Sequence, residues 1–389
     1  MNMTSPTASA RFVPGLANVV AAQTRLSAVN GLEGELIIAG FPVEEIASRA
    51  KFEEMVYLLW NDALPTAAQL DDFRRALIAQ RALPAATVDV LRAAAERRLP
   101  AMDALSLAAG TLNLDLADKD SQQQAIAVLA RFPVIVATYT RLLNGQMPLV
   151  PRADLNHVAN YLFMLFGEDP EPARVRALET YLNTVVDHGL NSSTFTARVI
   201  TSTGSDLVSA VVGAIGALKG PLHGGAPGPA LDMVFEIGDA SRAETFMRQK
   251  LERRERLMGF GHRVYRTRDP RAEVLSAAAE QMYRRSGDMK LYTLAREVED
   301  VAIRLLAERY PERNLKTNVE FYTALLLHGL GMSADLFTPT FAVSRAAGWI
   351  AHIFEQRGQS RIIRPESEYI GVRDQRWIPL EQRQPAESV

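Results

Sequence analysis

Apolar residues recur at helical spacing along most of the chain. In Lys51–Trp60 the residues Phe52, Met55, Val56 and Leu59 fall at i, i+3, i+4 and i+7, one stripe of an amphipathic helix. The same period predicts helices over Gln69–Leu83, Ala85–Arg98, Gln122–Leu143, Ala153–Phe166, Ala173–Gly189 and Asp206–Leu218. It continues over Arg242–Leu257, Arg271–Arg285, Lys290–Arg309, Val319–Leu330 and Pro339–Arg357, with a bend at Pro133 in the fourth of these helices. Strand-like patterns are confined to "GELIIAG" (Gly34–Gly40) and the C-terminal "YIGVRDQRWIPL". With no βαβ alternation, no repeat and no Gly-rich phosphate loop, the pattern predicts a mainly α, multi-helical protein with a small β element near each end.

Two interruptions break the helical run. "KGPLHGGAPGPA" (Lys219–Ala230) concentrates Gly and Pro, as loops and hinges do. "GLGMSADLFTP" (Gly329–Pro339) is the second. They enclose roughly a hundred residues, enough for one small domain. The expected organisation is a large domain from residues 1–222 and 331–389, with residues 223–330 inserted as a smaller one.

Composition adds limits. The chain has 389 residues, 48% apolar and 23% charged, and 43 basic against 45 acidic side chains, a net charge of −2. Such a balance gives no global reason to expect nucleic acid or an anionic membrane as partner. The absence of cysteine excludes disulfides, thiolate metal sites and cysteine nucleophiles. The most suggestive membrane stretch, Val208–Leu218, is about half the length a bilayer requires. The start, "MNMTSPTASARFVPG", lacks a long apolar region and reads as a loose tail, so a cytoplasmic location is expected.

Six histidines are present. His157, His328 and His352 lie within helical patterns and read as packing residues. His188 sits where a helix pattern stops, in "VVDHGLNSSTFTAR". His223 is flanked by Pro221, Gly224 and Gly225, which allow a backbone close to a ligand. His262 precedes the arginine run Arg263, Arg266, Arg268 and Arg271. No histidine pair has short zinc-site spacing, so no metal site is expected. Loop histidines polarise carbonyls and move protons, while arginines clamp carboxylates in pairs of hydrogen bonds. Together they suit a small polycarboxylate with a reacting carbonyl; a solvated or phosphate-binding surface remains the other reading of the arginines. In "KTNVEFYTALLLHGLGM", Thr317 and Glu320 have the spacing of a capping box at the start of a helix.

The segments "DHGLNSSTFTAR", "GPLHGGAP", "GFGHRVYRTRDPRA", "TNVEFYTALLLHGL", "FAVSRAAGWIAHIFEQ" and "RIIRPESEYIG" occur in the order and spacing of the citrate synthase family, which this chain resembles from about Leu36 onward. The resemblance implies an all-helical fold with a large domain, a smaller inserted domain that closes over the substrates, and an obligate homodimer. It implies condensation of acetyl-CoA with oxaloacetate and water to citrate and CoA, with acyl-CoA as co-substrate and no cofactor. It assigns His223 to the thioester oxygen, His262 to the oxaloacetate carbonyl and its proton, and His188 to holding oxaloacetate. Arg271, Arg345 and Arg364 would clamp its carboxylates, the last from the neighbouring subunit. Arg266 and the segment Leu257, Met258, Gly259, Phe260 and Gly261 would contact CoA. Lys316 and Arg313 are either further phosphate contacts or surface residues.

One position departs from the family. Its base is an aspartate in "NVDFYSG"; here the stretch is "NVEFYTA", with Glu320, Thr323 and Ala324. A carboxylate one methylene longer acts as the base if its pocket allows for the length, and misplacement by about 1 Å costs on the order of 10²-fold. Three readings follow: a synthase using acetyl-CoA, one using propionyl-CoA to make 2-methylcitrate, and a weakly active or inactive homologue that binds oxaloacetate or CoA as a sensor.

Overall fold

The computed structural model describes residues 12–224, 227–262, 264–359 and 361–383. Most of the expected N-terminal tail (residues 1–11) and Arg263 lie outside the described residues. The chain divides into two compact units, Thr24–Ile362 and the two chain ends, Met1–Gln23 with Ile363–Val389.

The main unit opens with a three-stranded antiparallel sheet: β1 (Ser27–Asn30), β2 (Glu35–Ile38) and β3 (Phe41–Pro42). Ser27 pairs with Ile38 and Ile37 with Pro42. Only β2 stands out in the sequence; its buried Leu36 and Ile38 alternate with more exposed neighbours. Helices α1 (Val43–Ile46), α2 (Phe52–Asn61), α3 (Ala67–Ala79), α4 (Ala85–Glu96), α5 (Ala101–Thr111), α6 (Asn113–Leu116) and α7 (Ser121–Leu143) follow. Then come α8 (His157–Phe166), α9 (Pro172–Val185), α10 (Ser192–Ser202) and α11 (Leu207–Leu218). The series ends with α12 (Pro227–Ile237), α13 (Ala240–Glu252), α14 (Pro270–Ser286), α15 (Lys290–Arg309), α16 (Val319–Gly329) and α17 (Phe337–Gln359).

Helix α7 carries Pro133 in its interior and is long and apolar enough to cross a membrane, with mean hydropathy 1.5. It is longer than Val208–Leu218, the stretch that stands out in the sequence as most membrane-like. Of its most apolar window, 72% is buried inside the fold, where α17, α4, α5 and α8 cover it, so it is a core helix.

Among the described residues five helices escape the periodicity, two of them, α1 and α6, only four residues long. Helix α10 is "SSTFTARVITS", rich in hydroxyl and β-branched residues that disfavour helix in isolation. Asn191 caps it, Oδ1 accepting from Thr194 N at 3.1 Å, and packing against α11 and α17 holds it. Helix α5 has too broad an apolar face to show a stripe, and α12 begins at Pro227, inside the stretch expected to be a loop. Conversely, α9 stops at Val185 rather than Gly189: Val185 O accepts from Arg345 Nε and Gly189 N donates to Ser27 Oγ, so the i to i+4 bond of a continued helix is not made. That early stop frees His188 from the helix.

In the unit of the chain ends the described residues form two 3₁₀ turns, Pro14–Leu16 and Leu380–Gln382. The expected C-terminal strand is not formed: the described backbone of 369–380 pairs with no other strand, and a strand without ladder partners is not held.

Candidate active site

The ends of several helices meet at one cluster. The turn after α9 supplies His188, the turn after α11 supplies His223, and the loop before α14 supplies His262. Helix N-termini supply Arg271 (α14) and Glu320 (α16), and the middle of α17 supplies Arg345.

His188 and His262 pack edge to face, ring centroids 5.8 Å apart, and Tyr265 completes a triangle with them, its ring 5.7 and 4.9 Å away respectively. Tyr265 is buried, and its hydroxyl lies 3.1 Å from His188 Nε2. His262 Nδ1 accepts from the backbone N–H groups of Val264 and Tyr265, at 3.1 and 3.2 Å. Those bonds make Nδ1 an acceptor, while Nε2 lies 3.4 Å from Nη2 of Arg271, which can only donate, so both ring nitrogens face donors. Burial and the Arg271 charge lower the His262 pKa to about 4, so at neutral pH the ring is uncharged. Burial, then Arg271, Arg345 and His262, hold His188 well below its ordinary value. His223 Nε2 is 2.9 Å from Ser193 Oγ, which also accepts from Trp349 Nε1 at 3.0 Å and donates to Asn191 Oδ1 at 2.8 Å. Burial and Arg345 lower His223 to about 4.

The two arginines differ in their bonding. Arg271 is fixed by Asp269, its Nε donating to Oδ1 at 3.0 Å and its Nη2 to Oδ2 at 2.7 Å. Both residues are buried. Asp269 Oδ2 also accepts from the N–H of Val319, the first residue of α16, at 3.3 Å. Arg345 donates from Nε to Val185 O at 2.7 Å, and among the described residues its two Nη groups have no hydrogen-bond partner. Burial lowers the Arg345 pKa to about 10, which leaves it charged at neutral pH.

Glu320 does not form the expected capping box. Asn318 is the cap, its Oδ1 accepting from Glu320 N at 3.1 Å. Thr317 donates instead to buried Glu299 Oε1 at 2.5 Å, and Glu299 Oε2 accepts from Arg296 Nη1 at 2.6 Å and from Tyr322 Oη. The cap needs a short side chain that folds back on its own backbone, and Asn318 is one residue better placed. Glu320 Oε2 is sealed from solvent with no hydrogen-bond partner among the described residues. Burial pushes the Glu320 pKa up to about 7 against the pull of Arg271, and Asp269 adds to the rise.

The segment 257–261 runs beside 315–318. Gly261 N donates to Lys316 O at 2.7 Å, Asn318 N to Gly259 O at 3.0 Å, and Asn318 Nδ2 to Gly261 O at 2.8 Å. Gly259 and Gly261 have φ of +85° and +82°, and a Cβ on Gly259 would stand 2.9 Å from the Phe321 ring. Leu257 is buried, Met258 and Phe260 half-buried, and Arg266 exposed. Arg364 is exposed and belongs to the unit of the chain ends. Among the described residues no group of three or more His, Asp or Glu side chains is placed to hold a metal ion.

The family description "Citrate synthase, C-terminal domain" matches residues 15–366. The chain belongs to the citrate synthase family. It is 39% identical over 375 residues to "Citrate synthase 2" of Bacillus subtilis, covering 95% of this chain and 98% of that relative. It is also 39% identical over 385 residues to the 2-methylcitrate synthase of Mycobacterium tuberculosis, covering 97% and 95%. The citrate synthase of Thermoplasma acidophilum, solved with carboxymethyl coenzyme A and oxaloacetate, superposes with a TM-score of 0.86 at 29% identity over 96% of this chain and all of that one. The protein is thus an enzyme of the citrate synthase type, an acyltransferase with a mainly helical fold.

Within this citrate synthase fold, His188, His223, His262, Arg271, Arg345 and Glu320 converge as a cluster, while the side chains of Arg266 and Lys316 make no described contact with it. Tyr265, Ser193, Asn191 and Asp269 have no role in the sequence reading, although all four lie inside the segments that carry the family resemblance. The available signal was their proximity to His262, His188 and Arg271 in sequence.

Proposed function

We propose that the protein condenses an acyl-CoA with oxaloacetate, with acetyl-CoA giving citrate. The observation that carries this reading is Glu320: a carboxylate with an unpartnered, buried oxygen and a pKa near 7, within the field of the buried Arg271 and Asp269 pair. A carboxylate of raised pKa is a stronger base than an exposed one, and ionised it accepts the proton on the acyl carbon next to the thioester. His223 hydrogen-bonds the thioester oxygen from Nδ1–H, for which the Ser193 hydroxyl turns its proton from Asn191 Oδ1 to His223 Nε2, and stabilises the charge that develops there as the enol forms. The enol carbon bonds to the oxaloacetate ketone carbon, and His262 polarises the ketone oxygen and supplies the proton that makes it a hydroxyl. Hydrolysis of the resulting thioester releases CoA. His188, Arg271 and the free Nη groups of Arg345 hold oxaloacetate. Arg364 adds a clamp from the neighbouring subunit of a cytoplasmic homodimer.

Residues 257–261, Arg266 and Lys316 bind CoA in this reading. Residues 223–330 act as the small domain that closes over the substrates and excludes water. A second reading, propionyl-CoA giving 2-methylcitrate, is favoured by the equal identity to the Mycobacterium tuberculosis relative. Comparing kcat/KM for acetyl-, propionyl- and longer acyl-CoA decides between them. One methylene in an apolar pocket is worth about 10–200-fold, so the preferred substrate is expected to stand out. Absence of CoA release with every acyl-CoA would overturn the condensation reading.

The pH profile offers a separate check. Only ionised Glu320 accepts a proton, so kcat/KM for acyl-CoA is expected to fall below an acid limb near pH 7. His223 and His262, at about 4, remain neutral there and cannot produce that limb. A limb in the ordinary carboxylate range would remove Glu320 from the base role.

A further inference from the structure

The side chain of Ser27 lies on β1, far in sequence from the cluster, yet it brackets His188. Its Oγ donates to Asp187 Oδ2 at 2.5 Å and accepts from Gly189 N at 2.7 Å. One hydroxyl thereby ties together the residues on either side of His188. Asp187 is fully buried, and its other oxygen faces His352 Nε2 at 3.2 Å, off the line of a straight hydrogen bond. His352 Nδ1 lies 3.0 Å from Arg198 Nη1. An arginine can only donate, so Nδ1 accepts and the ring proton sits on Nε2, toward Asp187. Arg198 is itself fixed by Glu355 Oε2 at 2.5 Å and Gln356 Oε1 at 3.0 Å.

Helix α17 closes against the same turn through its backbone. A Cβ on Gly348 would stand 2.3 Å from Val186 O and 3.0 Å from Asp187 Oδ1, so only glycine permits the approach. With Arg345 bonded to Val185 O, every residue from 185 to 189 except His188 is fixed by β1 or α17. His188 is left to present its ring toward Tyr265 and His262.

We propose that Ser27 and His352 are positioning residues for oxaloacetate, fixing Asp187 and with it the turn that carries His188. This inference rests on the reading of His188 as an oxaloacetate contact. A bond to a buried charged group is worth about 1.5–3 kcal/mol, on the order of 10- to 100-fold in affinity.

The test is oxaloacetate binding by calorimetry without acyl-CoA, together with steady-state kinetics, on Ser27→Ala, Ser27→Thr and His352→Leu. Ser27→Ala is expected to weaken oxaloacetate binding about tenfold and to raise its KM to match. Under saturating oxaloacetate, kcat and the acyl-CoA KM are expected to stay within about twofold of the unaltered enzyme. Ser27→Thr keeps the hydroxyl and is expected to restore binding to within about threefold. His352→Leu tests the same role from the other oxygen of Asp187, with the same signature expected in whichever variant folds.

Oxaloacetate binding unchanged in Ser27→Ala or in folded His352→Leu overturns the positioning role. So does an equal loss in every kinetic parameter, which marks a general loosening. If the unaltered protein binds no oxaloacetate, the reading of the site falls and this role falls with it; the two failures are therefore distinguishable.

Discussion

Glu320→Gln is expected to lower kcat/KM by about 10²–10⁴-fold, the range for loss of a general base. The substitution keeps the shape of the side chain and mimics its protonated form, which a pKa near 7 makes well populated in the unaltered protein. Folding should therefore survive, since the cap of α16 belongs to Asn318 and the anchoring of Thr317 to Glu299. Thiol release from acyl-CoA and oxaloacetate measures the effect, and oxaloacetate affinity serves as the control, expected to change little. Near-normal turnover by folded Glu320→Gln would exclude proton abstraction at this position. Glu320→Asp sharpens the result: a gain means that the pocket still prefers the shorter acid, and a loss means that it is built around the extra methylene.

Arg271→Gln is expected to act on both stability and substrate. Arg271 and Asp269 form a buried pair joined by two side-chain hydrogen bonds. Removing the cation leaves the carboxylate of Asp269 buried without its counter-charge, which costs about 3–5 kcal/mol. It also removes a carboxylate clamp, so oxaloacetate affinity is expected to fall by at least about 10²-fold. The double variant Arg271→Gln with Asp269→Asn separates the two effects. Neutralising Asp269 is expected to recover much of the stability, read by denaturant unfolding, without recovering oxaloacetate binding. If the double variant regained affinity, Arg271 would be a structural partner of Asp269 and no substrate clamp. Asp269 also accepts from Val319 N, so the midpoint of the double variant should stay below that of the unaltered protein.

The positions of the helices were largely legible because their apolar faces are periodic. Helix α15 spans Lys290–Arg309 as the stripe predicts, and α14 and α16 differ from expectation by a residue at their ends. Helix α10 was not legible, because its residues favour helix only once Asn191 caps it and α11 and α17 cover it. Strand β3 has two residues, too few for an alternation, and β1, as long as β2, is the weakly apolar Ser-Ala-Val-Asn; the C-terminal pattern that did alternate found no partner.

The same division holds at the site. Motif order alone selected His188, His223, His262, Arg271, Arg345 and Glu320; all but Arg345, which lies in the middle of α17, sit at a helix end or loop. Sequence alone also determined that a carboxylate stands at position 320 and that it is the longer acid. Whether that acid is a cap was decided by tertiary structure. Asn318 and Glu299, the latter from α15, take over the anchoring, and burial raises the Glu320 pKa. Tertiary structure likewise decided the company of His188. Ser27 and His352 lie 160 or more residues away from Asp187 in chain order, and nothing in a local pattern marks a hydroxyl on β1 as the partner of a turn after α9. Periodicity reports which face of an element is buried; it carries no information on which distant polar group must satisfy a buried charge, and that requirement is met only when the chain has closed around it.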